Sequence, residues 1–348
     1  MKPALLRAGL RAIALPGTQI LVRPKALMMS AGLLLLAVAL ALFSVTQGSF
    51  AVPAQAIFGA LFDGQALSAE QQMIVGDIRL PRLLMALLCG AMLGMAGAAM
   101  QSITRNGLAD PGLIGVKEGT CVVVLSLVLF FPSVNVLWRP VTGLAGGVLV
   151  TLLVIALARD LARPRFVLIG IGISWLLSAA VGIFMTTADV RDVQTAMLWL
   201  AGSLQAASWP LLAVAVAWAI PATLLLLMTA RAADVALLGP EAATGLGVRL
   251  TQLTWLRLFA PVLLTSASVS CVGSLGFVGL MAPHLARFLL RGGQLALISA
   301  SALIGALLVL LADTIGRLAP LQLPAGIVIA LVGGPFFIGL LWRRRDAL

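Results

Sequence analysis

The stretch from Arg79 to Gly115, RLPRLLMALLCGAMLGMAGAAMQSITRNGLADPGLIG, decides the fold because it joins a complete apolar run to two unusual ends. Its middle, from Pro81 to Ile103, is long enough to cross a bilayer core of about 30 Å as a helix. Arg79 and Arg82 flank Pro81 at the start. At the far end Asn106-Gly107 and Asp110-Pro111-Gly112 set two turn signals within seven residues, so the chain leaves the run and immediately turns back.

The rest of the chain is of the same kind. Hydrophobic residues make up 61% of the 348 and charged residues 10%, against roughly 25% charged in an ordinary soluble domain. Mean hydropathy is +1.12. A backbone that spans lipid must satisfy its own hydrogen bonds, and continuous apolar runs predict helices where a barrel would alternate polar and apolar residues. Runs fall at about 26–45, 81–103, 113–131, 140–158, 166–187, 209–229, 252–272, 275–290, 295–316 and 324–342, which predicts an all-α membrane protein of ten spans. The segment from Asp189 to Trp209 carries Asp189, Arg191 and Asp192 and is too short to cross, so it reads as an external or half-inserted helix.

Ten spans put both termini on one side. If that side is cytoplasmic, only Arg79, Arg82, Arg139, Arg191 and Arg317 lie outside and the rest of the 23 Lys and Arg lie inside. The positive-inside rule selects this orientation. The basic N-terminal residues Arg7, Arg11, Arg23 and Lys25 superficially fit a signal peptide, but the run from Ala26 to Val45 is too long for a signal h-region and reads as an uncleaved first span.

The net charge of +11 is spread between spans and not gathered on one face, which argues against nucleic acid. Cys89, Cys121 and Cys271 lie in apolar runs without metal or disulfide spacing. Gly90 and Gly94, Gly143 and Gly147, with Gly97, Gly170 and Ser174, stand at spacings that let helix backbones approach closely in lipid.

Ionisable groups in mid-span usually mark ion pathways, and this chain has almost none; Asp313 and Arg317 share a helix face near an outer end, and Lys117 and Glu118 read as lying near an inner one. A P-loop needs Gly-Lys, and Lys2, Lys25 and Lys117 all lack a preceding glycine. The sole histidine, His284, has no Cys or carboxylate at ligand or triad spacing. The chain therefore reads as neither an enzyme nor a motor.

The segment DVALLGPEAATGLGV, Asp234 to Val248, offers a way to receive work from a partner. Gly239 ends one short helix, Pro240 suits the first turn of the next, Glu241 favours its N-terminus, and Gly245 and Gly247 end it. An ordinary amphipathic loop fits the same residues.

The opening stretch resembles the FecCD family of ABC-importer permeases. So do WLAGSL at Trp199–Leu204, LGPEAATGLGV at Leu238–Val248, GSLGFVGLMAPHLAR at Gly273–Arg287, SALIGALLVLLADTIGR at Ser301–Arg317 and LPAGIVIALVGGPFFIGLL at Leu323–Leu341. The resemblance implies a basic cytoplasmic segment at 1–25, one permease domain at 26–342 with its coupling loop at about 234–248, and a basic tail at 343–348. It also implies residence in the bacterial inner membrane. The partners it implies are a second, identical or paralogous permease, two ATPase subunits that hold ATP and Mg, and a periplasmic or lipoprotein substrate-binding protein; the chain itself would carry no cofactor.

By matching position, Arg79, Arg82 and Arg317 would dock the binding protein, with bilayer anchoring as the plainer role. Leu238, Gly239, Glu241, Ala242, Gly245 and Gly247 would contact the ATPases. Asn106 and Leu108 resemble the inner gate, and Gln101 and Ser102, one turn earlier, would line the same route or hold helices together.

Several positions depart from the family pattern. Gly107 stands where proline is common, Lys117 and Glu118 replace small residues, Gly292-Gly293-Gln294 replaces an Asp-His-Arg run, and Gln322 replaces a frequent glutamate. The implied activity is import of a ferric siderophore by alternating access. Haem or cobalamin import by the same machine, or an ion-coupled secondary carrier, are the alternatives.

Overall fold

The computed structural model describes residues 11–344 apart from 16–17, 23, 49, 51, 54, 57–58, 60–67, 132, 136, 160–163 and 291. Most of the expected N-terminal segment and residues 345–348 of the expected tail therefore lie outside the described residues, as do Lys2, Arg7, Arg23, Arg163, Arg291 and Arg345. Within the N-terminal segment a short antiparallel hairpin forms, β1 (Arg11–Leu15) with β2 (Thr18–Val22), which was not expected from the sequence.

Every expected apolar run holds a helix. In chain order the long helices are α1 (Pro24–Thr46), α2 (Ala69–Ile103), α3 (Val116–Phe130), α4 (Trp138–Ala158) and α5 (Pro164–Thr187). The short α6 (Val190–Leu200) precedes α7 (Trp209–Met228). The two small helices α8 (Ala230–Ala236) and α9 (Pro240–Gly245) lead into α10 (Leu250–Val272), α11 (Val278–Leu289), α12 (Gln294–Leu318) and α13 (Ala325–Arg344). Among the described residues, α1, α2, α4, α5, α7, α10 and α12 are the seven helices long and apolar enough to cross a membrane by length and composition. The helix α3 falls short because Pro111–Ile114 forms a 3-10 turn and Gly115 turns left-handed at φ 77° before the helix starts. The segment at 189–209 holds an 11-residue helix, too short to span.

Helix α2 is the axis of the bundle and is buried on nearly all sides from Leu83 to Gln101. It begins as a capped turn, with Ser68 Oγ accepting the Gln71 N–H, and passes through a π-helical stretch at Ile74–Arg79. It lies antiparallel to α12 with glycine facing glycine. A Cβ at Gly90 would overlap the Gly305 carbonyl, one at Gly305 would overlap that of Gly90, and one at Gly94 would overlap that of Ser301. In lipid, where apolar burial does not drive helices together, such backbone contact is what holds a bundle. Gly143 and Gly147 sit against the side-chain hydroxyls of Ser270 and Ser266 of α10. The outer faces of α1 and α5, by contrast, expose Leu35, Leu36, Trp175 and Leu176.

Candidate functional site

Arg79 and Arg82 stand at one end of the bundle and Arg317, on the antiparallel α12, stands beside them. Arg82 and Arg317 share one partner, Asp313, which is 1% exposed. Arg82 Nε and Nη2 donate to Asp313 Oδ1 at 3.0 and 2.9 Å, and Arg317 Nε donates to Oδ2 at 3.1 Å from one turn away. A carboxylate shared by two guanidiniums in this geometry is a charge-assisted pair of the strong kind. Arg317 also donates to the Ser44 and Gln47 carbonyls at 3.2 Å, and Arg79 to the Val45 carbonyl at 2.6 Å and to that of Phe50. Ser44 and Val45 belong to the last turn of α1, where carbonyls lack helical partners and the dipole is negative. Arg79, expected as a rim cation, is only 6% exposed and clasps the end of α1. The side chains of Arg82 and Arg317 keep 20% and 14% of their surface.

The opposite end carries the expected coupling segment. Its two short helices form as the glycine and proline pattern predicts. Gly239 (φ 110°) precedes Pro240 at the first turn of α9, and Glu241 lies in that turn. The end of α9 is a Schellman motif, with Val248 N–H bonded to the Ala243 carbonyl at 2.9 Å and Gly247 N–H to that of Thr244 at 2.9 Å, Gly247 adopting φ 84°. Ala243 is buried, while Glu241, Ala242 and Gly245 are exposed, and Leu237, Leu238 and Leu246 present bare apolar side chains.

A network that local sequence patterns did not reveal ties this segment to the bundle. Asp234 Oδ1 of α8 accepts the backbone N–H of Gln294 at 2.8 Å, and Gln294 Oε1 accepts from Arg257 Nη2 at 3.0 Å. Arg257, 2% exposed in α10, also donates to Thr229 Oγ1 at 3.4 Å. Gly293 has no side chain to cap α12, so Asp234 serves as its N-cap from another helix. The signals that could have found it were the arginine within the apolar run of α10 and the replaced run at Gly292-Gly293-Gln294.

The expected gate residues lie at this same end. Gln101, 2% exposed, accepts from Arg287 Nη1 and sits 3.5 Å from the Leu280 carbonyl. Asn106 Oδ1 accepts the Leu108 N–H at 2.9 Å, closing an Asx turn. Ser102 borders two cavities, one of about 650 Å³ reaching Arg105, Asn106 and Pro240 and one of about 670 Å³ reaching Gln101, Asp234, His284 and Gln294. Arg105 lies between them and donates to the Ala236 carbonyl at 2.9 Å, joining the end of α2 to α8. Gln101, Ser102 and Asn106 are thus brought together with the coupling segment, while Leu108 belongs to the turn beneath them.

The loop beyond this turn climbs back into the bundle. A Cβ at Gly170 of α5 would overlap the Leu113 carbonyl, and Asp110, whose carboxylate accepts the Gly112 N–H at 2.8 Å, lies against Gly279. Burial raises the Asp110 carboxyl above the usual carboxylate range, opposed by that N–H and by the Lys117 ammonium. Lys117 and Glu118 therefore do not sit near the inner mouth as expected. They line a cavity of about 200 Å³ with Ser178 of α5. Pro164, where α5 begins, is on the coupling-segment side, and Ser178 lies about 21 Å further along the axis at about 1.5 Å per residue. The pair is in the interior, past the middle of the bundle.

Long apolar helices joined through glycine, a cationic cluster at one end and an exposed pair of short helices at the other define a multi-pass membrane transport subunit. The FecCD transport family matches residues 34–343, and the chain belongs to it. It is a transmembrane permease component of an ABC importer, resident in the inner membrane, and the ATPase is a separate subunit. The iron(3+)-hydroxamate import system permease protein FhuG of Bacillus subtilis (strain 168) is 35% identical over 296 residues, 82% of this chain and 88% of that protein. The vitamin B12 import system permease protein BtuC of Vibrio cholerae serotype O1 is 39% identical over 292 residues, 81% and 86% of the two chains. A solved structure described as an inward-facing conformation of a metal-chelate type ABC transporter superposes with TM-score 0.81 at 29% identity, covering 91% of this chain and 99% of that one. Family membership sets aside the ion-coupled carrier.

Proposed function

We infer that this permease moves an iron-siderophore complex into the cytoplasm by alternating access, paired with a second permease, two ATPases and a binding protein. Both termini and the coupling segment face the cytoplasm. Arg82 and Arg317 present charge to the binding protein, which steers docking and fixes orientation, while Arg79 holds α1. ATP-driven closure of the ATPases pushes α8 and α9, and Arg105 and Asp234 carry the movement to α2 and α12, beside which Gln101, Ser102 and Asn106 form the inner gate.

The observation that carries this reading is the Gly239-Pro240 break. It presents Leu237, Leu238 and Leu246, each at least half exposed, on two short helices joined by side-chain bonds to the ends of the central spans. A bare apolar knob of this kind is a surface built to be covered by a partner. The hydroxamate relative supports a siderophore; the higher identity of the vitamin B12 relative favours a corrinoid as the second reading.

The test is uptake into proteoliposomes of the whole complex with ATP, offering a radiolabelled ferric hydroxamate and cobalamin separately. Concentrative uptake of the hydroxamate alone supports the siderophore reading. Uptake of cobalamin alone replaces it with the second.

A further inference from the structure

We propose that Lys117 is a contact for the passing chelate, made through a carboxylate arm of the ligand, and that Glu118 positions it. This rests on the siderophore reading above. Charged side chains at this depth face a bundle interior or an aqueous cavity, not lipid. Lys117 keeps 32% of its side-chain surface in the single subunit, so its ammonium is open on one side.

The pair is held but not satisfied. Lys117 Nζ stands 3.6 Å from Glu118 Oε1, beyond hydrogen-bond reach, so the ammonium hydrogens have no close acceptor on that carboxylate. Glu118 Oε2 is buried and has no hydrogen-bond partner among the described residues. The other charged clusters differ. Asp313 is bonded by Arg82 and Arg317, and Arg257 and Asp234 are both bonded to Gln294.

The cavity, lined also by Ser178 and Ser274, is about 200 Å³. At about 30 Å³ per water it takes a handful of solvent molecules or one ligand substituent, not a whole chelate. A carboxylate arm fits both its size and the ammonium. An isolated lysine would trap such an arm. The adjacent glutamate opposes the field of the ammonium and lets the ligand leave, which suits a conduit that must not bind tightly.

The test uses the complete complex in proteoliposomes with two probes, a ferric tris-hydroxamate without free carboxylates and the same scaffold bearing one carboxylate arm. The wild type sets the ratio of carboxylate to neutral uptake. Lys117→Met is expected to lower that ratio about tenfold, the scale of one charge-assisted bond, and Lys117→Arg to preserve it. Glu118→Gln is expected to lower both the apparent KM and the maximal rate for the carboxylate probe. An unchanged ratio in Lys117→Met, or an equal fall in Lys117→Arg, overturns the proposal. Should Lys117→Met not assemble, unchanged KM and rate in Glu118→Gln overturn it instead. Failure of the wild type to carry either probe strikes the siderophore reading, and this inference falls with it.

Discussion

Asp234, on the first short helix of the coupling segment, accepts the backbone N–H of Gln294 at 2.8 Å and so caps a span that begins 60 residues later. The first peptide of α12 is thereby fixed to the segment proposed to receive the ATPases. Because α12 runs glycine against glycine along α2, displacement of its N-terminus is expected to move both central helices together.

Replacing Asp234 with Ala removes this cap and the carboxylate beside Arg257. The expected loss is about 1–3 kcal/mol of stability, seen as a lower unfolding temperature of the purified permease. Transport per ATP hydrolysed is expected to fall in the assembled complex, because the segment would move without α12.

Gly90→Ala sets a methyl group into the Gly305 carbonyl and must part α2 from α12. Overpacking of this kind costs about 1–3 kcal/mol. Gly182→Ala, whose methyl group meets nothing within 4 Å, is the control and is expected to leave the unfolding temperature of the isolated subunit nearly unchanged. Equal melting of the two variants would contradict the glycine contact.

Asp313→Ala leaves Arg82 and Arg317 facing each other without their shared carboxylate. Breaking a buried pair from one side costs about 3 kcal/mol or more. The double variant Arg82→Ala with Asp313→Ala is expected to cost less than the sum of the single changes, which a cycle of denaturation measurements reads directly.

Glu241→Arg reverses the charge in the first turn of α9, where a carboxylate favours the helix dipole and the side chain is exposed. Membrane insertion is expected to be normal, while stimulation of ATP hydrolysis by the loaded binding protein is lost. Full stimulation in this variant would remove the coupling assignment.

Local signals made the fold legible. Apolar runs marked the helices because span length is set by the bilayer, and the glycines at 90, 94, 143 and 147 marked contacts because nothing larger fits there. The breaks at Gly239-Pro240 and Gly247 were legible because left-handed and first-turn positions select those residue types. Depth was not legible. Lys117 follows a loop that spends Asp110 to Gly115 climbing back beside Gly170, and hydropathy cannot tell such a loop from a surface one. Partnership between distant residues was equally hidden, and nothing local showed that the Arg79 guanidinium reaches the end of α1.

We propose that this chain is a conduit moved by partners that hydrolyse ATP. The most direct measurement compares proteoliposomes holding the permease alone, under an imposed proton or sodium gradient, with proteoliposomes holding the full complex and ATP, each offered the same radiolabelled ferric chelate. Concentrative uptake is expected only in the second. Accumulation by the permease alone, abolished by collapsing the ion gradient, would contradict it.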